Sequence, residues 1–307
     1  VMLFAPADPA SALAWQSVTI TDTFLLPGDE DGLTDFGVAD IDGVDGPDIV
    51  VGSNETSDHA VYLYRNPGAA NSRNGGLWAR TTVNLDGPPF KRLELADIDG
   101  DSDVDVVATF PIAKSFNVRW LINPLVESGI GAVTAGNWTI RNIGEQRQLT
   151  QPGDEQDPGA DFISVGDIDD DGDLDVASVH QSLGLIQWFE NPGPATVVLQ
   201  TFGWNVFNLG TIATANSINQ LQLVDLNMDG RLDALVTASG NMVGFQPGID
   251  VHAFFTPFSI VGTSPVATIG RCAFDDVDGN GLLDIIAPMD RSGLTQDQFL
   301  ILFRLTP

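Results

Sequence analysis

Histidine, cysteine, tyrosine and basic side chains are scarce in this chain of 307 residues: three His, one Cys, two Tyr and 13 Lys plus Arg. The lone Cys272 has no second cysteine in the chain, so no internal disulfide can form. Thirteen cations against 42 Asp and Glu leave a net charge of −29. Such a surface cannot neutralise phosphates, which excludes nucleic acid and anionic membranes as partners. No apolar run approaches the ~18 residues of a membrane-spanning helix. No nucleophile elbow, phosphate loop or His-Asp-Ser pattern is present. His59 and His180 are expected at similar places in neighbouring units, but no third ligand repeats with them, so no transition-metal centre is expected. His252 is expected inside a strand.

Aspartate, by contrast, is abundant and clustered. "DIDDDGDLD" (167–175) puts six aspartates in nine positions. Two carboxylates about 4 Å apart repel by roughly 4 kcal/mol at an effective dielectric near 20. The same frame recurs as "DIDGVDGPD" from Asp40, "DIDGDSDVD" from Asp97, "DLNMDGRLD" from Asp225 and "DVDGNGLLD" from Asp276. Position 1 is always Asp, position 3 is Asp or Asn, and position 9 is always Asp. Position 5 is Asp101, Asp171, Asp229 or Asn280 in four copies. The first copy departs, with Val44 there and Asp45 one place later. The five stretches hold four, five, six, three and three acidic residues, half of the 42 in the chain.

Oxygen ligands at positions 1, 3 and 5, closed by a later carboxylate, suit a hard cation that takes six to eight oxygens. Calcium fits this frame, with up to five ions, one per copy. Zinc would want His and Cys, and the loops hold neither. An EF-hand would need Glu at position 12, where the chain has Val51, Ala108, Ser178, Val236 and Ala287. Weak calcium sites fill at the millimolar levels found outside cells, so the chain is expected to be extracellular.

The loops start 57, 70, 58 and 51 residues apart, the recurrence of a repeat architecture. A short apolar strand precedes each loop: "FGVA", "LELA", "ISVG", "LQLV" and "CAFD". A second strand follows it. A third is expected in "VYLYRNP", "VRWLINP", "IQWFENP", "HAFFTP" and "LILFRLTP", closed by proline, which cannot donate to a sheet ladder. A fourth opens on an aromatic at Trp78, Trp138, Trp204 and Phe258. The fifth unit stops after its third strand, and "WQSVTITDT" from Trp15 reads as its missing fourth. The expected fold is therefore all-β: residues 15–307 form one five-bladed β-propeller of four-stranded blades, closed by the N-terminal strand. The stretch 144–161 reads as an insertion between blades. Residues 1–14 read as an extension, although Ala12-Leu13-Ala14 resembles the end of a secretory signal.

The chain resembles the VCBS/FG-GAP repeat family, whose integrin-like blades carry "DxDxDGxxD" calcium loops between their first and second strands. The resemblance covers residues 15–307. It implies calcium ligands from the side chains at positions 1, 3, 5 and 9 and the carbonyl at position 7. Those are Asp97, Asp99, Asp101, Asp103 and Asp105; Asp167, Asp169, Asp171, Asp173 and Asp175; Asp225, Asn227, Asp229, Arg231 and Asp233; and Asp276, Asp278, Asn280, Leu282 and Asp284. In the off-pattern first loop they are Asp40, Asp42, Asp45 and Asp48. Such propellers serve as adhesion domains, lectins and non-catalytic parts of polysaccharide-active enzymes, so fold alone does not fix function.

The expected function is a non-catalytic binding or adhesion module for carbohydrate or cell-surface ligands. A self-assembling subunit of a filament or array, docking through residues 1–14, is a second reading, and a polysaccharide-active lyase or hydrolase is a third. Partner-facing loops are expected opposite the aspartate loops. They carry Glu55, Asp58 and His59; Lys114; His180 and Gln181; Asn241 and Met242; Asp290 and Arg291; and Glu145, Arg147, Asp154, Glu155 and Asp157 in the insertion. Trp120 and Trp188 are expected to pack between blades rather than to serve as sugar platforms.

Overall fold

The computed structural model describes residues 2–4, 16–20, 33–55, 58–84, 90–110, 118–144, 160–181, 183–193, 204–212, 218–238, 241–253, 255–261, 267–291 and 298–303. They form antiparallel sheets with little helix. The N-terminal pair is β1 (Met2–Phe4) and β2 (Gln16–Val18). The first four-stranded sheet holds β3 (Leu33–Ala39), β4 (Asp48–Glu55), β5 (Asp58–Arg65) and β6 (Ala79–Asn84). The second holds β7 (Arg92–Ala96), β8 (Asp105–Thr109), β9 (Val118–Ile122) and β10 (Thr139–Gly144). The third holds β11 (Phe162–Gly166), β12 (Asp175–His180), β13 (Leu185–Glu190) and β14 (Asn205–Thr211). The fourth holds β15 (Ile218–Val224), β16 (Asp233–Ala238), β17 (Asn241–Gln246) and β18 (Thr256–Val261).

In these four sheets the strand order in space follows the order in the chain, the up-and-down arrangement of a propeller blade. The last sheet differs. β19 (Ala267–Ile269) and β20 (Ala273–Asp275) both lie along one edge of β21 (Asp284–Arg291), and β22 (Gln298–Phe303) takes the other. Its first strand is thus interrupted at 270–272.

Why these residues form strands is clearest in the second strand of each sheet. It starts at the position-9 aspartate and runs into small and β-branched residues, which suit a pleated surface. Every residue of β8, β12 and β16 is buried, so both faces of these strands are covered. The chain divides into two compact units. The first is Val1–Asp97, Asp101–Val107 and Trp120–Ile140, and the second is Ile98–Gly100, Ala108–Arg119 and Arg141–Pro307. In the first, Ile49, Val51, Tyr62, Tyr64 and Trp78 cluster. In the second, Phe162, Ile186, Trp188, Leu209, Leu221, Val236 and Phe245 share one core. Trp120 and Trp188 are fully buried, as packing residues are.

Glycines at the ends of fourth strands allow close packing. A Cβ on Gly144 would lie 2.4 Å from the Phe189 ring, and one on Gly210 2.4 Å from the Phe245 ring. Phe189 and Phe245 are themselves buried and have no room to retreat.

Three expectations are corrected. In the fourth sheet the third strand is "NMVGFQ" (Asn241–Gln246), ended by Pro247, and not "HAFFTP". Ala238 pairs with Asn241, so a tight hairpin follows β16 at once. The aromatic alternation of 252–257 imitated a strand, but His252 lies in a turn. Second, Leu125–Ser128 (α1) and Ile130–Thr134 (α2) are short helices where only strand and turn were expected. Third, Gln16–Val18 pairs with Met2–Phe4, in register Met2↔Val18, and among the described residues no pairing joins it to the last sheet. Ile20 just beyond it packs on the Tyr62–Trp78 cluster, and the Thr19 carbonyl occupies the space beside Gly75 where a side chain would otherwise stand. An apolar anchor in the first unit thus holds this segment. Met2–Phe4, expected to reach another molecule, is paired inside its own chain.

Gly210→Ala should destabilise the protein by about 1–3 kcal/mol, the usual cost of overpacking a filled core. The midpoint of urea unfolding measures it. An unchanged midpoint would mean that Phe245 has another place to go.

Candidate functional site

Each aspartate stretch lies between the first and second strands of its sheet. The chain turns there through residues with positive φ: Gly43, Asp45 and Gly46; Gly100 and Ser102; Asp170 and Gly172; Met228 and Gly230; Gly279 and Gly281. Four loops fold on one hydrogen-bond plan. The position-1 carboxylate accepts from the backbone N–H groups of positions 5 and 6. In the third loop Asp171 N donates to Asp167 Oδ1 at 3.1 Å and Gly172 N to Oδ2 at 3.0 Å. Asp97, Asp225 and Asp276 repeat both bonds, at 2.8–3.1 Å. Position 3 accepts from position 5 in the third, fourth and fifth loops, through Asp169, Asn227 and Asp278. Position 5 accepts from position 7 through Asp101, Asp171, Asp229 and Asn280. These asx-type turns curl the side-chain oxygens toward the loop's interior.

Position 9 closes the loop. Asp48, Asp105, Asp175, Asp233 and Asp284 are all buried, at most 1% exposed. In four loops its Oδ2 accepts from the N–H of position 2: Ile41 at 3.0 Å, Ile168 at 2.9 Å, Leu226 at 3.0 Å and Val277 at 3.1 Å. In three loops its Oδ1 accepts from the N–H of an asparagine just past the third strand: Asn66 at 2.7 Å, Asn123 at 2.7 Å and Asn191 at 2.8 Å.

Position 7 points its side chain elsewhere, toward the turn that leaves the third strand. Asp103 Oδ2 accepts from Val126 N at 3.0 Å, and the Arg231 guanidinium donates to the Gly248 carbonyl at 2.7 Å. The Asp173 carboxylate faces Gly193. In the first loop Asp45 takes this role, facing Gly68, and stands outside the group formed by Asp40, Asp42 and Asp48.

Carboxylate oxygens gather where the frame predicts. Asp40, Asp42 and Asp48 bring ligand atoms within 4.8 Å of one another, and so do Asp167, Asp169 and Asp175. Burial raises the carboxyl of Asp175 to about 8, against the pull of its two N–H donors, with Asp169 and Asp171 adding repulsion. It raises Asp233 to about 6 and pushes Asp42, Asp48, Asp169 and Asp173 upward too. Among the described residues, three buried carboxylate oxygens, Asp101 Oδ2, Asp233 Oδ1 and Asp284 Oδ1, receive no hydrogen bond. Such atoms are costly unless something positive meets them. A hard divalent cation inside the loop would satisfy them, and the donor set is wholly oxygen.

The asparagines are the residues that sequence reasoning missed. Asn191 Nδ2 donates to Leu174 O at 3.1 Å and to Ile98 O at 2.9 Å, and Oδ1 accepts from Gly193 N. Asn123 likewise spans Val104 O and Ile41 O. Each uses both Nδ2 donors, one on its own loop and one on the preceding loop. The proline of the repeated Asn-Pro marks a strand end. The asparagine before it was the signal.

Of the partner-facing set, His180 is buried and accepts from Leu183 N, so it is no surface ligand. Met242 is buried as well. Gln181 N donates to Asp161. Glu55, Asp58, His59, Lys114, Glu145, Arg147, Asp154, Glu155, Asp157, Asp290 and Arg291 lie outside the described side chains.

Residues 167–236, from the third loop into the fourth sheet, match the family of FG-GAP-like repeats. No curated protein matches the chain. An auxiliary nutrient binding protein of Bacteroides thetaiotaomicron is similar at 11% identity and a TM-score of 0.49, over 85% of this chain and 56% of that one. The Tc holotoxin pore of Photorhabdus luminescens is similar at 16% and 0.35, over 84% and 11%. An Agrocybe aegerita lectin that recognises non-reducing terminal N-acetylglucosamine is similar at 14% and 0.37, over 88% and 80%. The chain spans little more than half of the first of these. Among the described residues no helix is long and apolar enough to cross a membrane. All three scores lie below 0.5, so the loops must carry the functional reading.

Two outcomes follow from this geometry. Asn191→Ala would orphan the Ile98 and Leu174 carbonyls and should cost about 1–3 kcal/mol in chemical denaturation. Cation-free protein should lose stability as pH rises from about 4 to 8. Asp175 stands at about 8 when folded against an ordinary 3.8. The folded state therefore binds more protons across that window, and raising the pH removes the advantage. Melting temperatures in chelator that climb with pH would contradict this.

Proposed function

We propose that this chain is a calcium-stabilised, non-catalytic binding module that acts outside cells on carbohydrate or cell-surface ligands. The observation that carries the reading is the fivefold return of one loop, each closed by a buried aspartate. Four of the loops share the position-1 carboxylate that accepts from positions 5 and 6, which is an economical way to aim oxygens inward. The ligand frame comprises positions 1, 3, 5 and 9, with main-chain oxygen at position 7. That the position-7 side chains of Asp103 and Arg231 are engaged by the neighbouring turn supports this division of labour. The match of residues 167–236 to FG-GAP-like repeats supports it too.

Calcium would act first on stability. A cation held at 100 times its dissociation constant adds about 2.7 kcal/mol. Several such sites rival the ~5–15 kcal/mol net stability of a domain. Repeated sheets pinned in this way form a rigid support, and recognition concentrates in loops mounted on such supports. The five-bladed ring of the sequence reading belongs to this proposal.

Excess chelator should lower the melting temperature by more than about ten degrees, since each kcal/mol moves a domain of this size by a few degrees. Asp171→Ala should remove more of the calcium response than Asp45→Ala, because Asp45 stands outside the first loop's cluster. An unchanged melting curve in chelator would end the calcium reading. A glycan array with and without chelator tests the ligand class. Hydrolysis or cleavage of any bound polysaccharide would replace the binding module with an enzyme.

A further inference from the structure

His252 lies apart from the oxygen-only frame, in the turn between β17 and β18, yet its ring reaches the third loop. Nε2 is 3.3 Å from Glu190 Oε1 and 3.9 Å from Asp169 Oδ2. Each of the three residues is held in place. The imidazole stacks on Trp188, with ring centroids 5.7 Å apart and planes 29° apart, and meets the edge of Phe207 at 4.7 Å. Its other nitrogen, Nδ1, faces Asp250 Oδ1 at 3.6 Å. Glu190 Oε2 accepts from Asn205 Nδ2 at 2.9 Å, leaving Oε1 toward the histidine. Asp169 Oδ1 accepts from Asp171 N at 3.3 Å, leaving Oδ2 toward the histidine.

One nitrogen and two carboxylate oxygens converge, and their ligand atoms lie within 4.8 Å of one another. We propose that Asp169, Glu190 and His252 form a site for a first-row divalent ion of the zinc type, beside the third loop. Bonds of about 2.0–2.1 Å in a tetrahedron place neighbouring ligand atoms about 3.3 Å apart. The 3.3 Å and 3.9 Å spacings lie near that value. An imidazole nitrogen favours zinc-like ions over calcium, which prefers oxygen throughout. A metal-binding histidine ordinarily turns its second nitrogen to a carboxylate or carbonyl, as Nδ1 does to Asp250 here. Asp250 and Asn205 are positioning residues. Three protein ligands leave a fourth position for water or an oxygen of a bound molecule, and His252 is exposed. The alternative is a plain ion pair between a protonated His252 and its carboxylates. Asp169 belongs to both groups, the third loop's and this one.

The test uses the full, tag-free chain, with and without excess calcium, titrated with zinc by calorimetry and with cobalt(II) by visible absorption. One zinc per chain is expected in both conditions, with tetrahedral cobalt bands that zinc displaces. His252→Ala and Glu190→Gln should abolish this binding, Asp250→Asn should weaken it about 10–100-fold, and His59→Ala should leave it unchanged. Circular dichroism checks the fold of each variant, and Asp250→Asn decides the matter should His252→Ala fail to fold. Absence of cobalt bands, displacement of zinc by calcium, or unaltered zinc affinity in His252→Ala would each overturn the proposal. Loss of binding in His59→Ala would move the ion elsewhere and overturn it as well.

Discussion

The buried aspartate at position 9 is the constraint on which the rest of each repeat depends. Its two oxygens face different parts of the chain. In the third loop Oδ2 takes the N–H of Ile168, which fixes how the loop leaves its first strand. Oδ1 takes the N–H of Asn191, which fixes where the third strand ends. The residue itself begins the second strand, so one side chain sets three boundaries. A neutral residue of the same shape could donate as well as accept, but it would not draw two N–H groups so strongly. Bonds to an ionised acceptor are about twice as strong as neutral ones. The arrangement therefore favours a charge in a place where burial opposes one.

That opposition is the central tension of the fold. Desolvation lifts Asp175 to about 8, so without a counter-ion the protein holds a proton there that a free aspartate would have lost. Repulsion from Asp169 and Asp171 works in the same direction. A sequence could relieve both by replacing the neighbours with serine or asparagine. This chain instead keeps six aspartates in nine positions. On the proposed reading the attraction of a divalent cation outweighs both costs, and the clustered charge becomes affinity.

Much of this was legible in the sequence because the period of the aspartate frame is rigid. It located all five loops and the strands on either side, and it marked position 9 as invariant aspartate. What it could not supply were features decided by packing. "HAFFTP" has the alternation of a strand, but a tight hairpin at Ala238 and Asn241 claimed the pairing edge of β16 first. The N-terminal strand has the composition of a blade strand, but pairing depends on what lies beside it, and Ile20 finds a pocket on the Tyr62–Trp78 cluster. His252 was assigned to a strand interior for the same reason, so its approach to Glu190 across 62 positions of sequence was invisible. Long-range side-chain meetings leave no local period to read.

The copies are not equal, and their differences are physically ordered. The second and third loops hold the most carboxylates and carry the asparagine latch to the preceding loop. The fourth loop belongs to a sheet whose third strand ends in Gln246-Pro247, and Asp233 Oδ1 lacks the N–H that Asp48, Asp105 and Asp175 receive. Arg231 bonds the Gly248 carbonyl in that loop, so a cation-bearing side chain restrains a turn that asparagine restrains elsewhere. In the fifth loop position 2 is an exposed Val277, where Ile41, Ile98, Ile168 and Leu226 are buried. Ligand charge and loop rigidity together set the strength of an oxygen site. The frame carboxylates fall from four in the third loop to three in the fourth and fifth, and the fifth alone of these has an exposed residue at position 2. If the loops hold calcium as proposed, the ions should leave in that order as the concentration drops, the fifth loop's first and the third loop's last. The part of the chain nearest β22 would then loosen while the third sheet is still pinned.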